Sequence, residues 1–214
     1  MTKKELARQS AAALEALYPD AACSLDYENE PWKLLILARL SAQCTDARVN
    51  IVAKPLFARF PTLASVAAGP LEDIEEIVKP CGLYKTKAKN IYDTAGILMR
   101  DFDGQVPRDM DNLLSLPGVG RKIANLMLGD VFGQPRIVTD THCIRICGRL
   151  GFYPEQEKNP EKIEKILSKW VDGPVQSDFC HRIVQFGRDV CTARSPKCDE
   201  CTLRGFCKHA NRQD

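Results

Sequence analysis

Four cysteines packed into the last part of the chain constrain its fold more than any other feature. They are separated by six, two and five residues, at positions Cys191, Cys198, Cys201 and Cys207. Four thiolates at these separations can enclose one metal centre, and such a centre fixes a polar tail that is too short to form its own core. Zinc and an iron–sulfur cluster both suit four thiolates. Zinc ribbons typically use two pairs with a two-residue spacer, and this tail has one, so the spacing favours the bulkier centre.

The other six cysteines are scattered, and the chain begins with a charged stretch rather than an apolar one. Residues 1–5 read MTKKE, and the longest apolar runs are far too short to span a bilayer. We therefore expect a soluble cytoplasmic protein with no signal peptide, transmembrane segment or membrane partner. Disulfides are rare in such a compartment, so clustered cysteines indicate metal ligands and scattered ones behave as small hydrophobic residues. The scattered ones are Cys23, Cys44, Cys81, Cys143, Cys147 and Cys180.

Helical periodicity runs through almost the whole chain. Pro31 has a first-turn position ahead of residues 32–38, which are apolar nearly all round and predict a central buried helix. Pro55 lies inside another apolar segment and predicts a helix that starts late, kinks or breaks there. No segment combines a period of two with β-branched residues, so the pattern predicts an all-α fold. A domain boundary is expected near residues 133–135, after which the basic and cysteine content rises.

A glycine-rich turn, L-P-G-V-G-R-K at residues 116–122, lies between two short predicted helices. Gly118 and Gly120 allow positive φ angles, and the bare backbone at the next helix N-terminus can approach an anion closely. Arg121 and Lys122 follow at once, which favours a nucleic-acid phosphate over an ordinary packing corner. The formal net charge is only +2, so a nucleic-acid surface must come from local clusters of this kind.

Four stretches, taken together and in order, resemble the endonuclease III family of bifunctional base-excision-repair glycosylase/AP lyases. They are L-S-A-Q-C-T-D at 40–46, L-P-G-V-G-R-K-I-A-N at 116–125, V-T-D-T-H-C-I-R at 138–145, and the cysteine tail. The resemblance implies removal of oxidised pyrimidines through a lysine Schiff base, with the strand then cut 3′ to the abasic site by β-elimination. The implied partner is double-stranded DNA containing damaged pyrimidines or abasic sites, bound by a monomer.

The same resemblance implies a two-domain helix–hairpin–helix DNA glycosylase fold. A six-helix barrel domain is expected over residues 24–134, with the helix–hairpin–helix at about 109–131. Residues 1–23 together with 135–214 are expected to form an iron–sulfur cluster domain. One 4Fe–4S cluster per chain would be held by the four cysteines of the tail.

The resemblance assigns catalysis to Lys122 and Asp140. A lysine amine can attack an electrophilic carbon and form a Schiff base, and the carboxylate would stabilise the developing sugar cation. A helix from Arg121 to about Phe132 is roughly 16–18 Å long, and the linker at 133–139 spans up to about 23–25 Å, so the two residues can meet. The alternatives are a phosphate contact for Lys122 and an N-cap for Asp140, which precedes a helical pattern at 141–150.

Further DNA contacts are assigned by the resemblance or by charge. Gln43 would fill the gap left by a flipped base and Leu83 would wedge against the opposite strand. The alternatives are a polar residue that ends a buried helix and a loop leucine packed on the core. His142 lies beside the catalytic aspartate, with ordinary packing as its alternative. The remaining candidates, interpreted as phosphate contacts or as parts of the hairpin turn, are Gly118, Val119, Gly120, Arg121, Lys79, Lys85, Lys87, Lys89, Arg194 and Lys197.

Three rival interpretations remain open from the sequence. An adenine-type monofunctional glycosylase typically lacks a lysine at the position of Lys122. A non-catalytic iron–sulfur DNA-binding module would bind without regard to damage and would tolerate loss of Lys122. A zinc-stabilised interaction protein would be colourless and would contain zinc.

Overall fold

The computed structural model describes residues 1–212 and consists of helices and connecting turns. None of these residues lies in a β-strand, which confirms the predicted all-α class. Across the same residues, no helix has the length and apolar character needed to cross a membrane. The α-helices are α1 Lys3–Leu17, α2 Pro31–Leu40, α3 Asp46–Arg59, α4 Leu63–Ala68, α5 Leu71–Val78, α6 Tyr84–Asp101, α7 Met110–Ser115, α8 Arg121–Leu126, α9 Thr141–Leu150, α10 Pro160–Trp170 and α11 Gln176–Asp189.

The chain divides into two compact units. One is Cys23–Phe132, and the other combines Met1–Ala22 with the chain from Gly133 onward. The first unit contains helices α2 to α8, and the second contains α1 and helices α9 to α11. The closing of helices in the first unit into a six-helix barrel stays a prediction.

Helix α2 is the central buried helix of the first unit, as its apolar sequence predicts. Pro31 occupies its first turn, and six of the seven residues from Leu34 to Leu40 are buried. The helix packs against α3, α6 and α8, and the same hydrophobic core also contains residues of α4 and α5. Helix α2 ends at Leu40, so the core fixes the point from which the chain continues to Gln43.

Helix α3 corrects two of the outcomes predicted from Pro55. The helix neither starts late nor breaks, because it runs from Asp46 to Arg59 with Pro55 in its interior. A kink at the proline stays a prediction. Proline has no N–H to give to the carbonyl four residues earlier, at Ile51. Ile51 is 65% exposed, so water can bind that carbonyl. The solvent-facing position of the proline therefore explains why the helix tolerates it.

The second unit begins with a capped helix and contains the buried thiols. Thr2 and Glu5 form a capping box at the start of α1. Cys143, Cys147 and Cys180 are buried in this unit, as the packing interpretation predicts. Helix α9 ends at Gly151, whose φ of 100° places it in the left-handed region that glycine favours.

Candidate functional site

The glycine-rich turn joins α7 to α8, as predicted for a helix–hairpin–helix. Asp109 caps α7 by accepting a 2.9 Å hydrogen bond from the backbone N–H of Asn112. The turn closes where Val119 N–H donates to the Leu116 carbonyl over 3.1 Å. Gly120 is the N-cap of α8 and makes no side-chain capping hydrogen bond. N–H groups at a helix N-terminus of this kind can bind an anion.

Gly118 is required in this turn for two reasons. Its φ is 74°, which side chains rarely permit. A Cβ atom there would also lie 2.3 Å from Arg39 Nε and 2.3 Å from the end of the Asn90 amide that faces Arg39. With its oxygen facing the guanidinium, the Asn90 amide accepts two hydrogen bonds from Arg39, at 2.8 and 3.0 Å. This pair forms the surface on which the turn rests.

The two proposed catalytic residues have different local settings. Lys122 is exposed in the first turn of α8, and Arg121 beside it is half-buried. Asp140 is the N-cap of α9 and accepts a 2.7 Å hydrogen bond from the Cys143 N–H. The N-cap alternative is therefore correct as a structural role, and a carboxylate that caps a helix retains oxygen lone pairs for other partners. Their joint role in catalysis stays a prediction.

His142 lies in the first turn of α9, two residues after Asp140. Its Nδ1 is 3.2 Å from Arg145 Nη2. Gly187 of α11 faces it so closely that an added Cβ would lie 2.3 Å from Nδ1. The imidazole is thus packed within its own unit, and its role toward DNA stays a prediction.

Gln43 and Leu83 are both exposed in turns with positive φ. Gln43 lies in the turn after α2 with φ 54°, and Leu83 immediately precedes α6 with φ 47°. The Leu83 side chain is 62% exposed. The alternative in which Leu83 packs on the core is therefore wrong. This left-handed conformation is strained for residues other than glycine, and residues that adopt it are often found at functional sites.

The lysines around Leu83 do not form one exposed group. Lys79, Lys85 and Lys89 are exposed, and Lys89 forms a 2.8 Å ion pair with Asp93. Lys87 is 1% exposed, so its interpretation as a phosphate contact is wrong. The residue lies on the inward face of α6, and backbone carbonyl groups bind its ammonium inside the unit.

The loop after Cys191 is attached to α9. Arg149 Nη1 donates to the Thr192 carbonyl over 2.7 Å, and Nη2 donates to the Ala193 carbonyl over 3.0 Å. The same guanidinium donates to Cys191 Sγ over 3.3 Å. Arg194 and Lys197 are exposed beyond these anchors. Arg149 thus fixes the start of the loop that presents both cations.

The four cysteines of the tail line one cavity. The cavity has about 360 Å³ of empty space, open solvent included, and its other lining groups include Arg149 and Leu203. Burial raises the pKa of the Cys201 thiol, and the other three thiolates raise it further. The four thiols thus share one cavity, and a positively charged centre there would relieve the repulsion between their thiolates.

The placement of these thiols fits an iron–sulfur cluster. The four cysteines line one cavity, and the ligands of such a cluster bind different iron atoms around a shared centre. Cys191, Cys198, Cys201 and Cys207 are thus suited to a cluster by number, chemistry and placement.

Two residues that support the site were not identified from the sequence. Arg39 and Asn90 support the hairpin turn, although neither belongs to a recognisable motif. The sequence signal that could have indicated them is the spacing of polar residues, because Lys87, Asn90 and Thr94 share one face of α6. Polar residues on a helix face that also carries buried apolar positions indicate contacts within the fold.

Comparisons with known proteins agree with this arrangement. Residues 36–172 match the family model of the HhH-GPD superfamily base excision DNA repair protein. Residues 191–207 match that of the iron-sulfur binding domain of endonuclease III. The chain is 43% identical to the endonuclease III of Synechocystis sp. over 98% of this chain and 94% of that protein.

Two solved structures are similar over the whole chain. One is a non-covalent endonuclease III–DNA complex, with a TM-score of 0.92 and 40% identity, covering 100% of this chain and 98% of that one. The other is a trapped endonuclease III–DNA covalent intermediate with the same TM-score and identity, covering 100% and 99%.

Proposed function

The chain belongs to the endonuclease III family of base-excision DNA repair proteins, and on that premise we propose its substrate, its products and the residues that carry the reaction. The protein removes oxidised pyrimidines from double-stranded DNA as a glycosylase and then cuts the strand as an AP lyase. Such a bifunctional reaction needs a covalent link between enzyme and sugar. The relative captured as a covalent complex with DNA supports this class of reaction.

DNA binding begins at the hairpin. The backbone N–H groups at the start of α8 bind a phosphate of the damaged strand, with Arg121 adding charge. Val119 is buried and fixes the turn on its own unit. Arg194 and Lys197 bind phosphates elsewhere on the duplex, since both are exposed and their loop is anchored by Arg149. These contacts position the protein and do not select the base.

The damaged nucleotide then leaves the base stack. Gln43 fills the gap and Leu83 enters the duplex from the opposite strand. Both side chains are exposed at the tips of turns, so they can reach into a groove without unfolding a helix. His142 contacts the DNA close to Asp140.

Lys122 carries the covalent chemistry. Its neutral Nζ attacks C1′ of the deoxyribose, the C1′–N bond to the base breaks, and the base leaves with a proton. Asp140 stabilises the positive charge that develops on the sugar and assists the proton transfers. The secondary amine on C1′ becomes an imine as the sugar ring opens.

The imine leads to strand cleavage. It acidifies the C2′ hydrogen, and removal of that proton expels the 3′ phosphate by β-elimination. Water then hydrolyses the imine and frees Lys122. The products are a free base, a 3′ unsaturated aldehyde and a 5′ phosphate end.

Cys191, Cys198, Cys201 and Cys207 hold one 4Fe–4S cluster, which supplies structural cross-linking of the tail. The reaction above transfers no electrons, so these cysteines act by placing Arg194 and Lys197. We further propose that the protein acts as a monomer, because one lesion offers no two-fold symmetry to match.

The observation that carries the proposal is the exposed Lys122 in the first turn after the hairpin. The test is product analysis on a duplex with one thymine glycol. We expect free base together with a cut 3′ to the lesion that leaves the unsaturated aldehyde. Base release with an intact abasic strand would indicate the monofunctional alternative. Equal binding of damaged and undamaged duplex with no product would indicate the non-catalytic module.

A further inference from the structure

Lys87 is a buried ammonium in the unit Cys23–Phe132. Its Nζ donates hydrogen bonds to the carbonyl oxygens of Leu40 and Cys81, each over 2.8 Å. Burial lowers the pKa of Lys87. Burying an ammonium costs free energy unless its hydrogens form hydrogen bonds. The two carbonyls therefore stabilise Lys87 in its buried position.

Each of the two carbonyls terminates a helical segment. Leu40 is the last residue of α2, and Cys81 is the last residue of the 3₁₀ helix Lys79–Cys81. Carbonyls at helix C-termini lack partners within the helix and carry partial negative charge. A lysine side chain therefore matches both in charge and in hydrogen bonding, and a purely apolar side chain would leave two carbonyls without this donor.

The two segments tied by Lys87 lead directly to Gln43 and Leu83. Gln43 follows Leu40 by three residues, and Leu83 follows Cys81 by two. Both residues are exposed with positive φ, and their turns contain few residues that could absorb a displacement. The ammonium thus holds the chain at points that lie within three residues of each of the two side chains.

The same face of α6 also supports the hairpin. Asn90, one turn after Lys87, accepts hydrogen bonds from Arg39 and packs under Gly118. Thr94, one turn further, donates from Oγ1 to the Pro117 carbonyl over 3.4 Å. One face of α6 therefore contacts all three segments to which DNA binding is assigned in this unit.

We propose that Lys87 is a positioning residue for base extrusion, which holds Gln43 and Leu83 at the separation needed to enter one duplex together. This inference rests on the proposed function. Lys87 itself touches no DNA and takes no part in the chemistry. Its removal should leave phosphate binding intact and should weaken the step in which the two side chains replace the flipped base.

The test compares Lys87→Met and Lys87→Gln with a matched control, Lys54→Met. Methionine keeps most of the length and removes all donors, and glutamine keeps one amide donor group on a shorter side chain. Lys54 lies in α3 of the same unit, is exposed, and is assigned no contact with DNA. Three quantities are measured: affinity for a duplex with a tetrahydrofuran abasic analogue, affinity for the undamaged duplex, and fluorescence of 2-aminopurine beside the lesion.

We expect Lys87→Met to lower the preference for the abasic duplex by about tenfold to a hundredfold, as small misplacements of positioned groups do. The 2-aminopurine signal should fall, and affinity for undamaged duplex should stay within about twofold. Lys87→Gln should be intermediate and Lys54→Met unchanged. Borohydride trapping on single-stranded abasic DNA, which needs no extrusion, should persist in every variant.

A double-mutant comparison shows whether Lys87 acts through the two side chains. In a Gln43→Ala, Leu83→Ala background, Lys87→Met should cause little further loss of lesion preference. Full additivity, or wild-type preference in a folded Lys87→Met, would overturn the proposal. So would failure of both Lys87 variants to fold, since the lysine would then hold the fold as a whole. Absence of imine trapping in the wild type, with lesion preference intact, would instead refute the proposed function.

Discussion

Gln43 and Leu83 share a backbone conformation that few residues other than glycine adopt, with φ of 54° and 47°. Their segments are joined through one ammonium, that of Lys87. A left-handed conformation costs a non-glycine residue roughly 1–2 kcal/mol. Both side chains project into solvent, so packing contacts do not offset this strain. Strained and exposed side chains of this kind are consistent with a role in binding.

Replacing Leu83 with glycine should separate stability from function. Glycine removes the strain of the left-handed conformation, which stabilises the folded protein, but it also raises the conformational entropy of the unfolded chain, which destabilises it. Because the two effects oppose each other, the free energy of unfolding should stay within about 1 kcal/mol of wild type. Excision of thymine glycol should fall because the wedge is gone. Ile51→Gly is the control, since Ile51 is equally exposed, at 65%, but lies in α3. That change should cost about 0.5–1 kcal/mol and leave excision unchanged. A Leu83→Gly protein with full excision would contradict the wedge role.

The two hairpin glycines should differ in their tolerance of alanine. Gly118→Ala places a Cβ against Arg39 and Asn90 at a φ of 74°, so it should lower the free energy of unfolding by about 2–4 kcal/mol. Gly120 has an ordinary φ of −99° and no atom within 4 Å of an added Cβ. Gly120→Ala should therefore fold normally and weaken DNA binding, because the methyl group lies where a phosphate would approach. Chemical denaturation and filter binding measure the two effects, and equal stability losses would argue against this account of the turn.

Arg194 and Lys197 should each contribute one phosphate contact. Alanine at either position should lower the magnitude of the slope of log Kobs against log salt by about 0.9. The loss should be similar on damaged and undamaged duplex, since phosphate contacts do not read the base. Lys162, which is paired with Glu157, provides a control that should leave the slope unchanged. Unchanged slopes in both variants would show that the loop lies away from the DNA.

The tail cysteines should be needed for iron, and the scattered ones should not. Wild-type protein should contain four iron atoms and four acid-labile sulfides per chain, in line with the match to the iron–sulfur domain. Cys198→Ala should lose most of both and should bind DNA weakly. Cys23→Ala should retain both, because Cys23 packs beside the core of the other unit. Zinc in place of iron in the wild type, or full iron in Cys198→Ala, would contradict the assignment.

Local signals in the sequence explain why much of the fold was predictable. Helix α9 spans the residues expected from its pattern, because Asp140 and Gly151 cap it from within the segment. Helix α2 is buried because it is apolar all round. The hairpin turn was likewise predictable, since Gly118 adopts the positive φ, 74°, that the glycine-rich pattern indicates. The positive φ that the pattern also allowed at Gly120 is not found, because Gly120 has an extended backbone with φ −99°.

Contacts between distant segments account for what was missed. Lys87 was expected to be exposed because lysine usually is, yet its ammonium is bound by a carbonyl 47 residues away. No local sequence pattern indicates that the C-terminal end of α2 lies beside Lys87. The packing of Arg39 and Asn90 under Gly118 also depends on contacts between segments that are distant in sequence. The position of Pro55 on an exposed face of α3 likewise depends on how the helix packs in the fold.

The central claim is that Lys122 forms a covalent imine with the sugar of a damaged nucleotide. The most direct measurement is borohydride trapping on a duplex with one thymine glycol, comparing wild type, Lys122→Ala and the control Lys54→Ala. The account predicts an adduct with wild type and Lys54→Ala, none with Lys122→Ala, and a cross-linked peptide that contains residue 122. An adduct of normal yield with Lys122→Ala, or none with a cluster-loaded wild type that still binds the lesion, would contradict it.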